Sequence, residues 1–345
     1  MRSGTGHSTG WLVRSVRLLP LAVVALLGPG SRMPPLRVVR FVEQSGVNLP
    51  WLRYGWDVGA NPWGGEHGGF ASNTEALDRA FTYLRDHGVR VCRVFLFGDL
   101  RAGVACRGGN IAGLDAWADR DIDALIRCAR RNRMHLVPVL LDHTVADGVA
   151  DENGAPVGEH PEWLSNPSLR RQLIDRVIVP TVVRHHAPGT VLAWDLINEP
   201  RLAVAVSTND CRRFVEEAAA AVRRAVPTAR LTFGAYDRFH LDRLGVASCD
   251  MVQVHYYPDL MGYYWDFDTP ASAISAAKPV WLGELDPADP APALSRALDA
   301  GYEGVLLWSL NAPYEGVSFT NVASSYAAWV ESRRTRAVRI LSGRR

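Results

Sequence analysis

Two glutamates stand where apolar runs stop. "VLAWDLINEP" (191–200) ends on Asn198, Glu199 and Pro200, and "WLGELD" (281–286) carries Glu284 at the close of another run. A dry strand has no structural use for a terminal carboxylate, although either glutamate alone reads equally as a strand-end ion pair. Together they have a chemistry. One carboxyl can protonate a leaving oxygen while the other attacks a carbon or activates water, the arrangement that cleaves glycosidic bonds. Their pKa values must then differ. "CRVFLF" (92–97) offers the means, because the Arg93 guanidinium beside one glutamate holds that one ionised.

Those residues need a frame that brings them together. From about residue 50 the chain alternates apolar runs with longer amphipathic stretches. The runs are "WLRYGW" (51–56), "VRVCRVFLF" (89–97), "HLVPVLL" (135–141), "VLAWDLI" (191–197), "RLTFGAY" (230–236), "MVQVHYY" (251–257), "PVWLGE" (279–284) and "GVLLWSL" (304–310). Several are almost unbroken, as parallel strands covered on both faces are. Helices are expected at 74–88, 119–133, 166–186, 207–226, 292–301 and 321–334, with Pro180 kinking or splitting the third. This order predicts an α/β fold of the (β/α)8 (TIM) barrel type. An open doubly wound sheet would show a glycine-rich turn after its first strand, and "GWDVGANPWGG" does not fit GxGxxG. In a barrel the runs release their last residues at one mouth, so the fourth and seventh runs bring Glu199 and Glu284 there.

The bulk numbers set bounds. Of 345 residues, 48% are hydrophobic, enough for one large core, and a net charge of +2 leaves no nucleic-acid footprint. Five scattered cysteines (Cys92, Cys106, Cys128, Cys211 and Cys249) lack CxxC spacing and imply neither a structural zinc site nor a disulfide framework. Arg2, Arg14 and Arg17 precede "LLPLAVVALLG" (18–28), which is short for a bilayer span and suits a signal peptide. Residues 1–30 are therefore expected to be a signal peptide or anchor, residues 31–345 a single barrel domain, and the product secreted or extracytoplasmic.

The chain resembles glycoside hydrolase family 5, the cellulase-like family of (β/α)8 retaining glycosidases, over roughly residues 50–335. That family carries an arginine in strand 2, a histidine after strand 3 and Asn-Glu ending strand 4. It continues with His-x-Tyr in strand 6, a glutamate ending strand 7 and a tryptophan in strand 8. The matches here are Arg93, His143 in "LLDHT", Asn198-Glu199, His255 and Tyr257 in "VHYYP", Glu284, and Trp308 in "LLWSL". The resemblance implies that Glu199 is the acid/base and Glu284 the nucleophile, held charged and aimed by Arg93 and Tyr257. It implies that Asn198 binds the sugar 2-hydroxyl, that His143 and His255 contact the sugar or the acid/base, and that Trp308 is the platform under the ring. Many members also show Gly-x-Asn near the end of strand 1. The first run here gives "YGWDVG" instead, with Asp57 as the polar residue, which marks a divergent subgroup.

Trp51, Tyr54, Trp56 and Trp63 around the first run, and Tyr263, Tyr264 and Trp265 after the sixth, are of a type that lines sugar grooves or packs beneath loops. The expectation is a retaining, monomeric enzyme free of cofactor and metal. It acts on β-linked glucan- or mannan-type oligo- or polysaccharides, with no nucleic-acid partner and no membrane contact beyond an N-terminal anchor. The alternative is an inactive carbohydrate-binding barrel. A carboxylate separation of roughly 5–5.5 Å would mark retention and about 6.5–9.5 Å inversion.

Overall fold

The computed structural model describes residues 34–53, 57–60, 68–98, 100, 102–147, 149–150, 156–261, 267–286, 288–313 and 315–342. The signal-like stretch and the aromatics Tyr54, Trp56, Trp63, Tyr263, Tyr264 and Trp265 lie outside them.

Eight strands close a parallel barrel: β1 (Gly46–Asn48), β2 (Val91–Phe95), β3 (His135–Val139), β4 (Trp194–Asn198), β5 (Leu231–Ala235), β6 (Val252–Tyr256), β7 (Val280–Leu285) and β8 (Gly304–Leu307). Each pairs with its sequence neighbours and β1 closes the ring on β8. The unbroken apolar runs follow from this architecture, since barrel strands are dry on both faces. In β4 all five residues are buried, Asp195 included. A core of Val91, Val137, Ala193, Met251, Trp281 and Leu306 fills the end of the barrel where the strands begin.

The principal helices are α1 (Pro35–Gln44), α2 (Thr74–Asp86), α3 (Ala118–Asn132), α4 (Pro167–Leu173), α5 (Val179–His185), α6 (Thr208–Ala225), α7 (Pro290–Ala300) and α8 (Phe319–Leu341), beside shorter ones at Pro161–Ser165, Pro258–Met261 and Ala271–Ile274. Their ends obey local chemistry. Ser207 caps α6 by accepting from the Asp210 N–H, and Gly301 ends α7 at φ +98°. The expected break at Pro180 is a π-helical turn over Ile174–Ile178, which absorbs the amide hydrogen that proline lacks.

The first strand corrects the sequence reading. "WLRYGW" is not a strand: β1 is the three-residue Gly46–Asn48, preceded by α1, which the sequence reading did not anticipate. Three residues are too few to show periodicity, and Asn is a poor strand former. Gly46 is required because a Cβ there would lie 1.9 Å from the Val91 carbonyl oxygen. The missing Gly-x-Asn is therefore present as Gly46-Val47-Asn48, and the departure read at Asp57 falls away. Asp57 is instead a loop clasp, accepting from the Leu52 N–H at 2.6 Å and the Arg53 N–H at 3.1 Å. Burial raises its pKa to about 7 against those two bonds.

Candidate active site

A cleft of ≈ 330 Å³ opens at the C-terminal ends of the strands, lined by Trp51, Phe95, Asp142, His143, Asn198, Glu199, Leu202, Tyr236, Tyr257, Glu284 and Trp308. Its size is that of an ordinary ligand pocket. Of the eight residues singled out in the sequence, His143, Asn198, Glu199, Tyr257, Glu284 and Trp308 line it, while Arg93 and His255 are fully buried beneath.

Arg93 organises the floor. Its Nη1 donates to Glu284 Oε1 at 2.8 Å and to Asn48 Oδ1 at 3.1 Å, its Nη2 to Asn198 Oδ1 at 2.6 Å, and its Nε to Asp195 Oδ2 at 3.0 Å. A buried guanidinium is stable only when its fork is filled in this way. Asp195 also accepts from Gln253 Nε2 at 2.7 Å and from the Gly234 N–H at 3.1 Å. Asn48 Nδ2 donates to the Gly283 carbonyl at 3.0 Å, tying β1 to the strand that bears Glu284. The orientation of the Asn198 amide is unambiguous, because Arg93 takes its oxygen and Asp142 accepts from its nitrogen at 2.8 Å.

The two glutamates are held differently. Glu284 sits inside β7 and receives a second donor, the Tyr257 hydroxyl, on Oε2 at 2.7 Å. Glu199 leaves β4 in a left-handed conformation (φ +46°), sparsely populated by non-glycine residues and common where geometry serves function. Its N–H is fixed to the Gly234 carbonyl at 2.7 Å, and Cys211 Sγ contacts the carbonyl of Pro200 at 3.3 Å. Its carboxyl meets His255 Nδ1 at 2.6 Å. Oxygens of Glu199 and Glu284 and a nitrogen of His255 lie within 4.8 Å of one another. Those three donors could span a metal ion. Arg93 and Tyr257 already occupy both oxygens of Glu284, however, and a guanidinium is a poor neighbour for a cation.

Charge follows burial. Burial raises the Glu199 pKa to about 7, opposed by the His143 cation and reinforced by Asp142. Burial raises Glu284 as well, with the Glu199 charge adding, against His255, Arg93 and the Tyr257 hydroxyl. Two carboxyls this close share a proton. The one with two donors keeps the charge, and the proton stays on Glu199. Burial lowers His255 to about 4, so it is neutral at pH 7. His143 is raised to about 9 by Asp142, whose own carboxyl is lowered to about 2 by His143, Asn198 and Thr144.

Trp308, half-buried, meets Trp51 and Phe95 edge-on, with ring centroids 6.4 Å away in each case. Its peptide to Ser309 is cis. Gly234 on β5 completes the floor: a Cβ there would lie 2.7 Å from Asn198 Oδ1, 2.8 Å from Arg93 Nη2 and 2.9 Å from His255 Nε2. Sequence reasoning missed Asn48, Asp142, Asp195, Tyr236 and Leu202. Asp142 carried a signal, since it precedes His143 at the end of the third run.

No protein-family model matches the chain. Among curated proteins it is similar to mannan endo-1,4-beta-mannosidase 7 of Oryza sativa subsp. japonica, 24% identical over 179 residues, 48% of this chain and 47% of that one. The match spans about half the length of that relative. Among solved structures it is similar to the β-mannanase of the blue mussel Mytilus edulis, with 19% identity, a TM-score of 0.68, and 85% of this chain and 92% of that one covered. The β-1,4-D-mannanase of Cryptopygus antarcticus gives 19% identity and a TM-score of 0.67 over 84% of this chain and 90% of that one. Likenesses at this identity show the barrel fold.

Proposed function

We propose that the chain is a retaining β-glycosidase acting on β-linked mannose-type saccharides, with glucose-type saccharides the second choice. The observation that carries this reading is the pair of carboxyls with oxygens within 4.8 Å, one bearing two donors and the other raised to about 7. Inversion needs a wider gap to admit water between them. The mannan preference comes from the names of the similar proteins.

In this reading a Glu284 oxygen attacks the anomeric carbon, the bond from that carbon to the leaving oxygen breaks, and Glu199 gives its proton to the departing oxygen. A glycosyl ester on Glu284 results. Glu199, now a carboxylate, takes a proton from water as that water attacks the anomeric carbon and releases Glu284. The second hydrogen of Asn198 Nδ2 is directed at the sugar 2-hydroxyl. Trp308 carries the C–H face of the ring, and export through residues 1–30 delivers the enzyme to extracellular saccharide.

The test is to incubate the protein with a 2-deoxy-2-fluoro-β-mannosyl fluoride and weigh it. A mass gain of one fluoromannosyl unit, mapped by peptide sequencing to Glu284, is the expected result. Hydrolysis products of inverted configuration by NMR would exclude the reading. Sugar binding without any turnover would favour the binding-barrel alternative.

A further inference from the structure

The barrel has a second end, and its chemistry is unlike that of the cleft. Helix α8 buries Phe319, Ala323, Tyr326 and Val330, the face expected of a helix packed on a barrel. At Arg334 it reaches the level where the strands begin, because Arg334 Nη2 donates to Glu43 Oε1 at 2.7 Å and Glu43 lies just before β1. The helix then runs seven residues further, to Leu341, about 10 Å at 1.5 Å per residue. There Val338, Ile340 and Leu341 are 61%, 44% and 55% exposed, and Arg336 and Arg339 are exposed beside them. Three large apolar side chains on one exposed helical end are costly in water and uncommon without a partner.

The charge at this end of the barrel bears on what could cover them. Helices α3 and α6 also finish at this end, and Arg133 and Arg224 stand exposed just beyond or within their last turns. Most of the acids at this end are engaged: Glu43 with Arg334, Glu303 with Arg40, Asp86 with Arg85, Asp78 with Arg131 and Asp250 with Arg223, while Asp299 in the last turn of α7 is exposed and offsets one of the four arginines. Glu331 accepts from Thr335 one turn earlier on the same helix. A second copy would bring the same arginines against these and be repelled. Apolar residues interleaved with arginines on one helix end match an anionic lipid surface, where side chains of the first kind enter the acyl boundary and those of the second stay among headgroups. The apolar stretch 18–28, with Arg14 and Arg17 before it, carries the same pairing in its own sequence.

We propose that the end of α8, through Arg336, Val338, Arg339, Ile340 and Leu341, docks the protein on an anionic phospholipid surface. Because the cleft opens at the opposite ends of the strands, docking leaves it facing away from the lipid and open to saccharide. The contact is separate from the signal peptide or anchor expected over residues 1–30. It does not depend on which sugar is cleaved, nor on whether any is.

The experiment is co-sedimentation of the full chain with vesicles of phosphatidylcholine alone or mixed with phosphatidylglycerol. The expected result is stronger partitioning to the anionic vesicles than to phosphatidylcholine alone, the excess lost when salt is raised to about 0.5 M. In the same full chain, Arg336→Gln with Arg339→Gln lowers the partition coefficient about thirtyfold. Ile340→Asp lowers it comparably, and both variants keep the wild-type melting curve. Unchanged partitioning of these variants overturns the proposal, as does binding indifferent to phosphatidylglycerol. So does a dimer, seen by sedimentation velocity, that Ile340→Asp abolishes, since the surface would then belong to a second copy.

Discussion

At the end of β4 the chain turns into a left-handed conformation and delivers Glu199 to the cleft with one histidine beside it. At the end of β7, Glu284 stays within its strand, 4% exposed, with donors on both oxygens. The residue type is the same and the surroundings differ. In the proposed reading the acid has to reach a leaving oxygen outside the strand wall and keep a proton near neutrality, which fits a residue at a turn beside a neutral base. The nucleophile has to be charged and aimed, which fits a residue held in the rigid element with donors on both oxygens. The difference teaches that the barrel allots roles by exit geometry as much as by partner.

The largest effect expected from breaking that asymmetry is at Glu284. Glu284→Ala should lower kcat/KM on every substrate by on the order of 10⁵. Glu199→Ala should lose roughly 10²–10⁴ on natural saccharides and far less on an aryl glycoside with an activated leaving group, which needs little protonation. Equal losses on the two substrate types would erase the distinction between the carboxyls. Next comes Tyr257→Phe, which removes one of the two donors. A bond to a charged oxygen carries about 1.5–3 kcal/mol, so kcat should fall roughly 10–100-fold with KM little changed. A KM effect alone would make Tyr257 a substrate contact.

The mildest change sharpens the comparison from the other side. The alkaline limb of kcat/KM should reflect loss of the Glu199 proton near pH 7, its raised value. The His143 cation opposes that rise, so His143→Gln raises Glu199 further and should move the limb to higher pH. A limb that stays put, or moves down, would mean that another group governs it.

Much of this arrangement is legible because barrel strands announce themselves as dry runs and two of those runs end on a glutamate. Glu199 and Glu284 are visible on that basis, with Arg93 as the charge set among inward positions, whereas His143, Asn198, His255, Tyr257 and Trp308 come through the family resemblance. What escaped notice did so for physical reasons. The strand β1 is too short and too polar to show a period, so the apolar loop after it was read in its place, and Asn48 was lost with it. Asp195 carries no signal in the sequence, because only the folded barrel places Arg93 and Gln253 around it. Tyr236 and Leu202 come from the exits of β5 and β4, and sequence spacing does not say which way a loop side chain turns. The left-handed turn at Glu199 carries no signal in residue type, since glutamate is not a residue that favours it.

Gly234 carries a consequence for how such a molecule can change over time. Any base change that alters a glycine codon's meaning yields a residue that carries a Cβ, or a stop. At this position that one atom would press on Asn198, Arg93 and His255 together. An adjustment that relieves one of the three disturbs the other two, so no stepwise route of tolerated intermediates leads away from glycine here. The floor of the cleft is closed to gradual variation from β5, and new specificity has to enter through the rims, where Trp51 and Tyr236 stand on loops and Leu202 ends a 3-10 turn.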